Sequence, residues 1–323
     1  MIRVDVHHEL SEVDRRSVGR LLQTAEHHSG QRPLSDQLWL DFIHGDRRAV
    51  IAVLAHDDEG LVGYCQVSPS HGSWTLEMVL APTLDAQRRS SVDERLLTSA
   101  LAEVGATGGG RVRWWVAGGD LERSGLAASV GMHAERTLLE MWVPLPLAPP
   151  NEVSPVPTRP FRPGLDDRAW LEVNNAAFHW HPEQGGWDST SLGQRMREAW
   201  FDPSGFLLHD RNGRLAGFCW TKIHHDVVPP VGEIYVVAVH PDFHGLGLGR
   251  AMTVAGLASI AGRDITSALL YVDADNEPAV GLYRELGFTV RNSNRTFVAD
   301  IDPAGDAHAA PVATATIEPG GPR

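Results

Sequence analysis

Cysteine is nearly absent from this 323-residue chain, with only Cys65 and Cys219. Two isolated thiols have neither the number nor the spacing for a zinc site or a disulfide framework, and both are expected as buried strand residues. Long apolar runs are missing too. No stretch approaches the roughly 18 apolar residues that span a bilayer, so no membrane insertion is expected. The opening MIRVDVHHELSEVDRR carries acidic residues where an export peptide has its apolar core, and a cytoplasmic location is expected. Basic residues are outnumbered, 28 Lys and Arg against 41 Asp and Glu, for a formal charge of -13. No nucleic-acid partner is expected, because phosphate backbones demand basic surfaces. Histidines occur as adjacent pairs, His7-His8, His27-His28 and His224-His225, but neighbours on a strand face opposite ways and no third ligand follows at helical spacing. No metal is expected.

What is present suits a soluble protein of two domains of about 150 residues each. The segment VPLPLAPPNEVSPVPTRPFRP, Val143 to Pro163, is too rich in proline for helix and reads as a stiff connector. The division is into an N-terminal domain over 1–145, a linker over 146–160, a C-terminal domain over 161–302 and a disordered tail over 303–323. The two domains repeat each other's landmarks. Gly63-Tyr64-Cys65 recurs as Gly217-Phe218-Cys219, and Val130-Gly131-Met132 recurs as Leu286-Gly287-Phe288, each near the same spacing. Leu138 to Val143 is expected to close the first half, and Thr296 to Ile301 the second. Trp39, Trp114, Trp115 and Trp142 read as core or interdomain residues.

In the second half, periodicity predicts helices near Asp166 to Ala177 and Ser189 to Trp200, then strands at Phe206 to His209, Leu215 to His224 and Val231 to Val239. A helix follows from about Gly249 to Ala261, then a strand at Ala268 to Asp273, a helix at Glu277 to Leu286 and a last strand. This is an α+β pattern with antiparallel early strands and one parallel pair wrapped around the helix that follows Val236 to Arg250, VVAVHPDFHGLGLGR. Gly245, Gly247 and Gly249 allow close backbone approach, and a helix starting there points free N–H groups at an anion. No Gly-Lys-Ser/Thr ends the loop, and the spacing departs from G-x-G-x-x-G.

With strand, HxxGxG loop, helix, strand, Asn276 and Leu282-Tyr283-x-x-Leu286-Gly287-Phe288 in order, the second half resembles the GCN5-related N-acetyltransferase (GNAT) family. His244 stands where that family has Gln or Arg. The resemblance implies two tandem GNAT-like domains, each a mixed, mostly antiparallel twisted sheet flanked by helices, with acetyl-CoA as co-substrate. Its acetyl and pantetheine would lie along Val237, Ala238 and Val239. Its pyrophosphate would lie on His244, Gly245, Leu246, Gly247, Leu248, Gly249 and Arg250, with further contacts from Asn276, Glu277, Pro278, Ala279, Val280 and Gly281. The tandem layout, HPEQGGW at His181 to Trp187 and ALLYVDADNEPAVGLYRELGF at Ala268 to Phe288 resemble, more narrowly, actinobacterial enzymes that acetylate the cysteinyl amine of cysteine-glucosaminyl-inositol.

Acetyl transfer needs an unprotonated amine, a polarised carbonyl and a stabilised leaving thiolate. Glu233 is the candidate base, since a carboxylate in the apolar strand VGEIYVVAV is costly without a role or partner; an edge carboxylate in water is the alternative. A bulge near Val237 to Val239 would free an N–H for the carbonyl oxygen. Tyr283 is the candidate acid, with a buried structural tyrosine as the alternative. Aligning the repeats sets Gly281-Leu282-Tyr283 against Gly125-Leu126-Ala127, Trp74 against Glu233 unless a bulge shifts that pairing by one residue, and Ala86, Arg88 and Ser90 against the three glycines, so one active domain is expected. By resemblance, Lys222, Glu183, Glu233 and Tyr271 contact the acceptor, with Asp36 reaching from the first domain. Asn276 also reads as a helix cap. A monomer acting on a small-molecule amine is expected. Rival readings are Cys219 as a nucleophile, another acceptor (an antibiotic, a polyamine or a protein N-terminus), and a non-catalytic CoA-binding module.

Overall fold

The computed structural model describes residues 2–304 apart from 30–31, 45–49, 71, 118–119, 149–155 and 182–183. The first half runs β1 (Arg3–His7), α1 (Glu12–Ser29), α2 (Asp36–His44), β2 (Ile51–Asp57), β3 (Gly60–Ser70), β4 (Ser73–Leu80), α3 (Ala86–Ala106), β5 (Gly110–Ala117), α4 (Leu121–Ser129) and β6 (His133–Pro144). The second runs β7 (Arg159–Pro160), α5 (Asp167–Ala177), α6 (Ser189–Met196), β8 (Phe206–Arg211), β9 (Arg214–His224), β10 (Val231–Val239), α7 (Leu248–Ala261), β11 (Ser267–Asp273), α8 (Glu277–Glu285) and β12 (Thr289–Ile301). Among the described residues no helix is long and apolar enough to cross a membrane.

Among the described residues twelve strands form one sheet in the order β1-β2-β3-β4-β5-β12-β6-β11-β10-β9-β8-β7. Within each half the early strands are antiparallel, and one pair is parallel: β4 with β5, and β10 with β11. A helix crosses over between the members of each pair, as a parallel connection requires. In the second half that helix is α7, whose inner face buries Ala251, Met252, Leu257 and Ile260. Gly256 lets it sit against the sheet, because a Cβ there would lie 2.3 Å from Cys219 Sγ and 2.8 Å from Ile234 Cδ1. Both cysteines are buried strand residues.

The closing strands correct the expectation from sequence. β6 does not close the first half, nor β12 the second. β12 inserts between β5 and β6, pairing Phe297 with Trp114 on one side and with Ala134 on the other. β6 in turn pairs with β11 from Ser267↔Pro144 to Asp273↔Leu138. The cores follow the strands. Phe297 and Ala299 pack in the first half's core around Trp114, while Met141, Val143 and Leu145 pack in the second half's core with Met252, Leu270 and Tyr283. Alternation of apolar residues specifies that a strand is half-buried but not which sheet receives it, which is why sequence placed each strand with its own half. A separate aromatic core lies on the opposite face of β8 to β10, where Trp170 meets Phe206, Phe218 and Trp220 edge-on and Phe206 stacks on Trp220 at 4.3 Å.

Because β6 finds both of its sheet neighbours in the second half, neither half carries a complete sheet. Segments 1–148 and 156–304 produced separately should lack a cooperative thermal transition, and their co-expression should restore one. Independent two-state melting of either segment would contradict this exchange.

Candidate active site

Glu233 stands where two strands part. β10 pairs with β11 only through Gly232↔Ala268 and Glu233↔Leu269, after which the two diverge. On the other side β10 stays paired with β9, with a register shift between Ile234 and Val236 that leaves Tyr235 as the extra residue. The expected bulge thus exists but lies at Tyr235, two residues before Val237. A bulge bends its strand and increases the local twist, and here the bend coincides with the fork. Beyond Glu233 the β11-facing edge of β10 has no strand partner among the described residues, so an extended ligand can pair with it.

The fork opens into a cavity of about 1940 Å³ between the two halves. Asp36, Lys222, Glu233, Val237, Tyr271, Asn276, Ala279 and Tyr283 all line it, which brings together residues more than 180 positions apart in sequence. Ala238, Val239, His244 to Arg250, Glu277, Pro278, Val280 and Gly281 do not. Of these, Ala238, Leu248 and Val280 have buried side chains, so only their backbone can face a ligand. Glu183 lies outside the described residues.

Around Glu233 the charges are paired in a definite way. Its Oε2 lies 2.7 Å from His224 Nε2. Lys222, directly opposite it on β9, sends its ammonium to Asp36 of α2, at 3.2 and 3.3 Å from the two carboxylate oxygens. Burial works against ionisation of Asp36, but Lys222, Arg32 and the hydrogen bonds from Lys222 and Tyr235 outweigh it and hold the carboxyl below its ordinary value. The Tyr235 hydroxyl also accepts from Arg195 Nε at 3.1 Å, and Arg195 reaches Gln37 on α2 at 3.3 Å. Desolvation, and then the carboxylates of Glu233, Glu140 and Asp36, push the Tyr271 phenol up. Glu140 is the residue of β6 paired with Tyr271, so the exchanged strand supplies part of the site. Tyr283 is buried on α8, where desolvation raises its phenol. Among the described residues no three His, Cys, Asp or Glu converge as a metal site.

Sequence reading passed over Tyr235 and Arg195, and considered His224 only as a metal ligand. A cue for His224 existed: the register sets Val231 opposite His224 and Glu233 opposite Lys222, making His224 a diagonal neighbour of Glu233 on the same face.

The glycine loop follows a single 3-10 turn, Pro241–Phe243, with His244 Nε2 3.0 Å from Val239 O. Gly245 and Gly247 have φ of +76° and +72°, which favours glycine. Gly249 has no such conformation, and nothing lies within 4 Å of where its Cβ would be. Protein packing therefore does not require a glycine there. The amides of Leu248, Gly249 and Arg250 precede the first helical bond, Ala251 N–H to Gly247 O, and no side chain caps the helix. The first half contrasts with this. Its loop from Pro82 to the cap is three residues shorter, and α3 starts on Asp85, whose carboxylate accepts from Arg88 N–H at 2.8 Å. The glycines are thus not replaced one for one, as the alignment over Ala86 to Ser90 had it; the loop is absent and a carboxylate caps the start of the helix. The bulge also shifts the partner of Glu233. Ser68↔Thr75 matches Lys222↔Glu233, counted from Cys65↔Met78 and Cys219↔Val237, so Thr75 rather than Trp74 is its counterpart.

The His181 segment docks across the seam. His181 Nδ1 accepts from Gln184 N–H at 3.1 Å, and its Nε2 lies 3.3 Å from Arg136 Nη2 and 3.6 Å from Asp273 Oδ2. Arg136 of β6 holds Asp273 of β11 at 2.8 and 2.9 Å. Burial and Arg136 lower the His181 pKa to about 4, against the pull of Asp273.

A family model for acetyltransferases of the GNAT family matches residues 170–288. Curated relatives called mycothiol acetyltransferase include one from Thermobispora bispora, 42% identical, covering 85% of this chain and 92% of that protein. Another, from Acidimicrobium ferrooxidans, is 38% identical over 84% of this chain and 89% of its own. Among solved structures, a GCN5-related N-acetyltransferase from Sphaerobacter thermophilus superposes with a TM-score of 0.65 at 21% identity, covering 93% and 96% of the two chains. A tandem GNAT protein from the clavulanic acid biosynthesis pathway gives 0.65 at 16% identity over 94% and 100%.

Two outcomes follow from this geometry. Gly249→Ala should leave stability unchanged or raise it by up to about 1 kcal/mol, since alanine is the better helix former, while weakening CoA binding in a titration; unaltered affinity would refute the ligand reading of Gly249. His181 is protonated in the unfolded chain below about pH 6.5 but resists protonation when folded until about pH 4. Stability is therefore full above pH 6.5 and falls as pH drops toward 4. His181→Asn should flatten that part of the melting-temperature profile.

Proposed function

We propose that this chain, which belongs to the mycothiol acetyltransferase family within the GNAT acetyltransferases, transfers the acetyl group of acetyl-CoA to the cysteinyl amine of cysteine-glucosaminyl-inositol, giving mycothiol and CoA. The observation that carries this reading is the fork at Glu233, where a buried carboxylate, the free edge of β10 and Tyr283 share one cavity. We further propose that the second half, 161–302, carries the chemistry and that the first is a degenerate copy lending Asp36 and β6.

In this reading the pyrophosphate sits on the amides at the start of α7, and the pantetheine and thioester extend along β10 beside Val237 to Val239. An α-amine with pKa near 8 arrives mostly protonated. Glu233 removes a proton, directly or through a water. The amine nitrogen then attacks the thioester carbon, and a β10 amide stabilises the negative charge that develops on the carbonyl oxygen. As the C–S bond breaks, the electron pair leaves on sulfur. Burial pushes the Tyr283 phenol up, so it stays protonated and available as a donor. Complete transfer to a sulfur with pKa near 8.5 is uphill; its contribution is a hydrogen bond to the developing thiolate, while the second proton shed by the newly acylated nitrogen passes to the sulfur through solvent as CoA leaves. Cys219 is fully buried and desolvation raises its thiol, which supports direct attack over an acyl-cysteine intermediate.

Steady-state assays test these roles. Tyr283→Phe should lower kcat by roughly 100-fold with little change in KM for acetyl-CoA, whereas Cys219→Ala should keep most activity; full activity of the phenylalanine variant would remove Tyr283 from the mechanism. Cysteine-glucosaminyl-inositol should exceed simple amines and polyamines in kcat/KM, and equal use of all of them would refute the acceptor assignment.

A further inference from the structure

We infer that His224 is the positioning residue of the base, holding the Glu233 carboxylate by one oxygen so that the other meets the acceptor amine. The inference rests on the assignment of Glu233 as base and extends it to a residue outside the glycine loop and the acceptor contacts. Two basic side chains of β9 stand on the face of Glu233: Lys222 directly opposite and His224 diagonal to it. Either could take the carboxylate. The structure gives it to His224, at 2.7 Å, and gives Lys222 to Asp36, with the ammonium also 4.8 Å from the centre of the Trp200 ring.

That division of partners has a chemical consequence. A lysine ion pair on Glu233 would favour its charged form and lower its basicity, which works against proton removal. Asp36, reaching over from the first half, draws the lysine away. An ionised carboxylate can only accept hydrogen bonds, so the short contact is donated by His224 Nε2–H. Such a bond to a charged group fixes orientation strongly. With Oε2 held, Oε1 is the oxygen left for the incoming amine. The Glu233 side chain is only 9% exposed, against 27% for His224, so bulk water is poorly placed to supply the same restraint.

The contact involves Nε2, and side-chain length distinguishes a positioning role from a structural one. A glutamine amide N–H can reach the place of Nε2, whereas asparagine reaches that of Nδ1. With acetyl-CoA and cysteine-glucosaminyl-inositol, His224→Ala and His224→Asn should each lower kcat roughly 10- to 100-fold, the range of one hydrogen bond to a charged group. KM for acetyl-CoA should not move, and His224→Gln should recover most of the rate. Wild-type kcat in the alanine variant, or a glutamine variant as impaired as alanine, would overturn the inference. If alanine lowers the melting temperature, the glutamine and asparagine pair carries the test. Glu233→Gln separates the two levels: if it retains wild-type kcat, the base assignment itself fails. If it is inactive-like, adding His224→Ala should cause little further loss, and a full additional loss would show that His224 does not act through Glu233.

Discussion

Pairing between β10 and β11 stops after Glu233, and the rest of the site depends on that interruption. A parallel pair that continued would bury both strand edges and leave no room for a ligand. Instead the extra residue at Tyr235 falls where β10 and β11 part, and Ala279 and Tyr283 of α8 line the cavity into which the fork opens. The carboxylate sits at the vertex, where a ligand pairing with the free edge would end. Burying it is tolerable because His224 bonds it directly.

The fork needs a rigid frame, and the exchanged strands provide one. β6 lies against the full length of β11, so β11 cannot close onto β10 without disturbing the seam. The same exchange places Glu140 beside Tyr271 and Arg136 on Asp273, while α2 sends Asp36 across to Lys222. A first half without a glycine loop of its own thus still has work to do. It seals the second half's sheet and sets the charges around Glu233.

Much of this was legible in the amino-acid sequence, for physical reasons that differ between features. The second half's elements were readable because their apolar periods are clean and their ends are marked: Asp188 caps α6 and Asn276 caps α8, as side-chain acceptors at helix starts should. The glycine loop declared itself through residues that only backbone geometry or a close ligand explains. Glu233 stood out as a charge in an apolar strand. The partner choice of β6 and β12 was not legible, because the pattern of a half-buried strand is the same in either half. Nor was the shift of the bulge to Tyr235, which moved the counterpart of Glu233 from Trp74 to Thr75. His224 was weighed as a metal ligand because its neighbour is also histidine; its real partner lay on the next strand.

The central claim is that the unpaired edge of β10 beyond Glu233 receives the thioester arm of acetyl-CoA while the start of α7 holds its pyrophosphate. Amide hydrogen exchange, followed residue by residue with and without acetyl-CoA, tests it most directly. New protection is expected at Val237 to Val239 and at Gly247 to Arg250. Unchanged exchange at both stretches under saturating acetyl-CoA would contradict it.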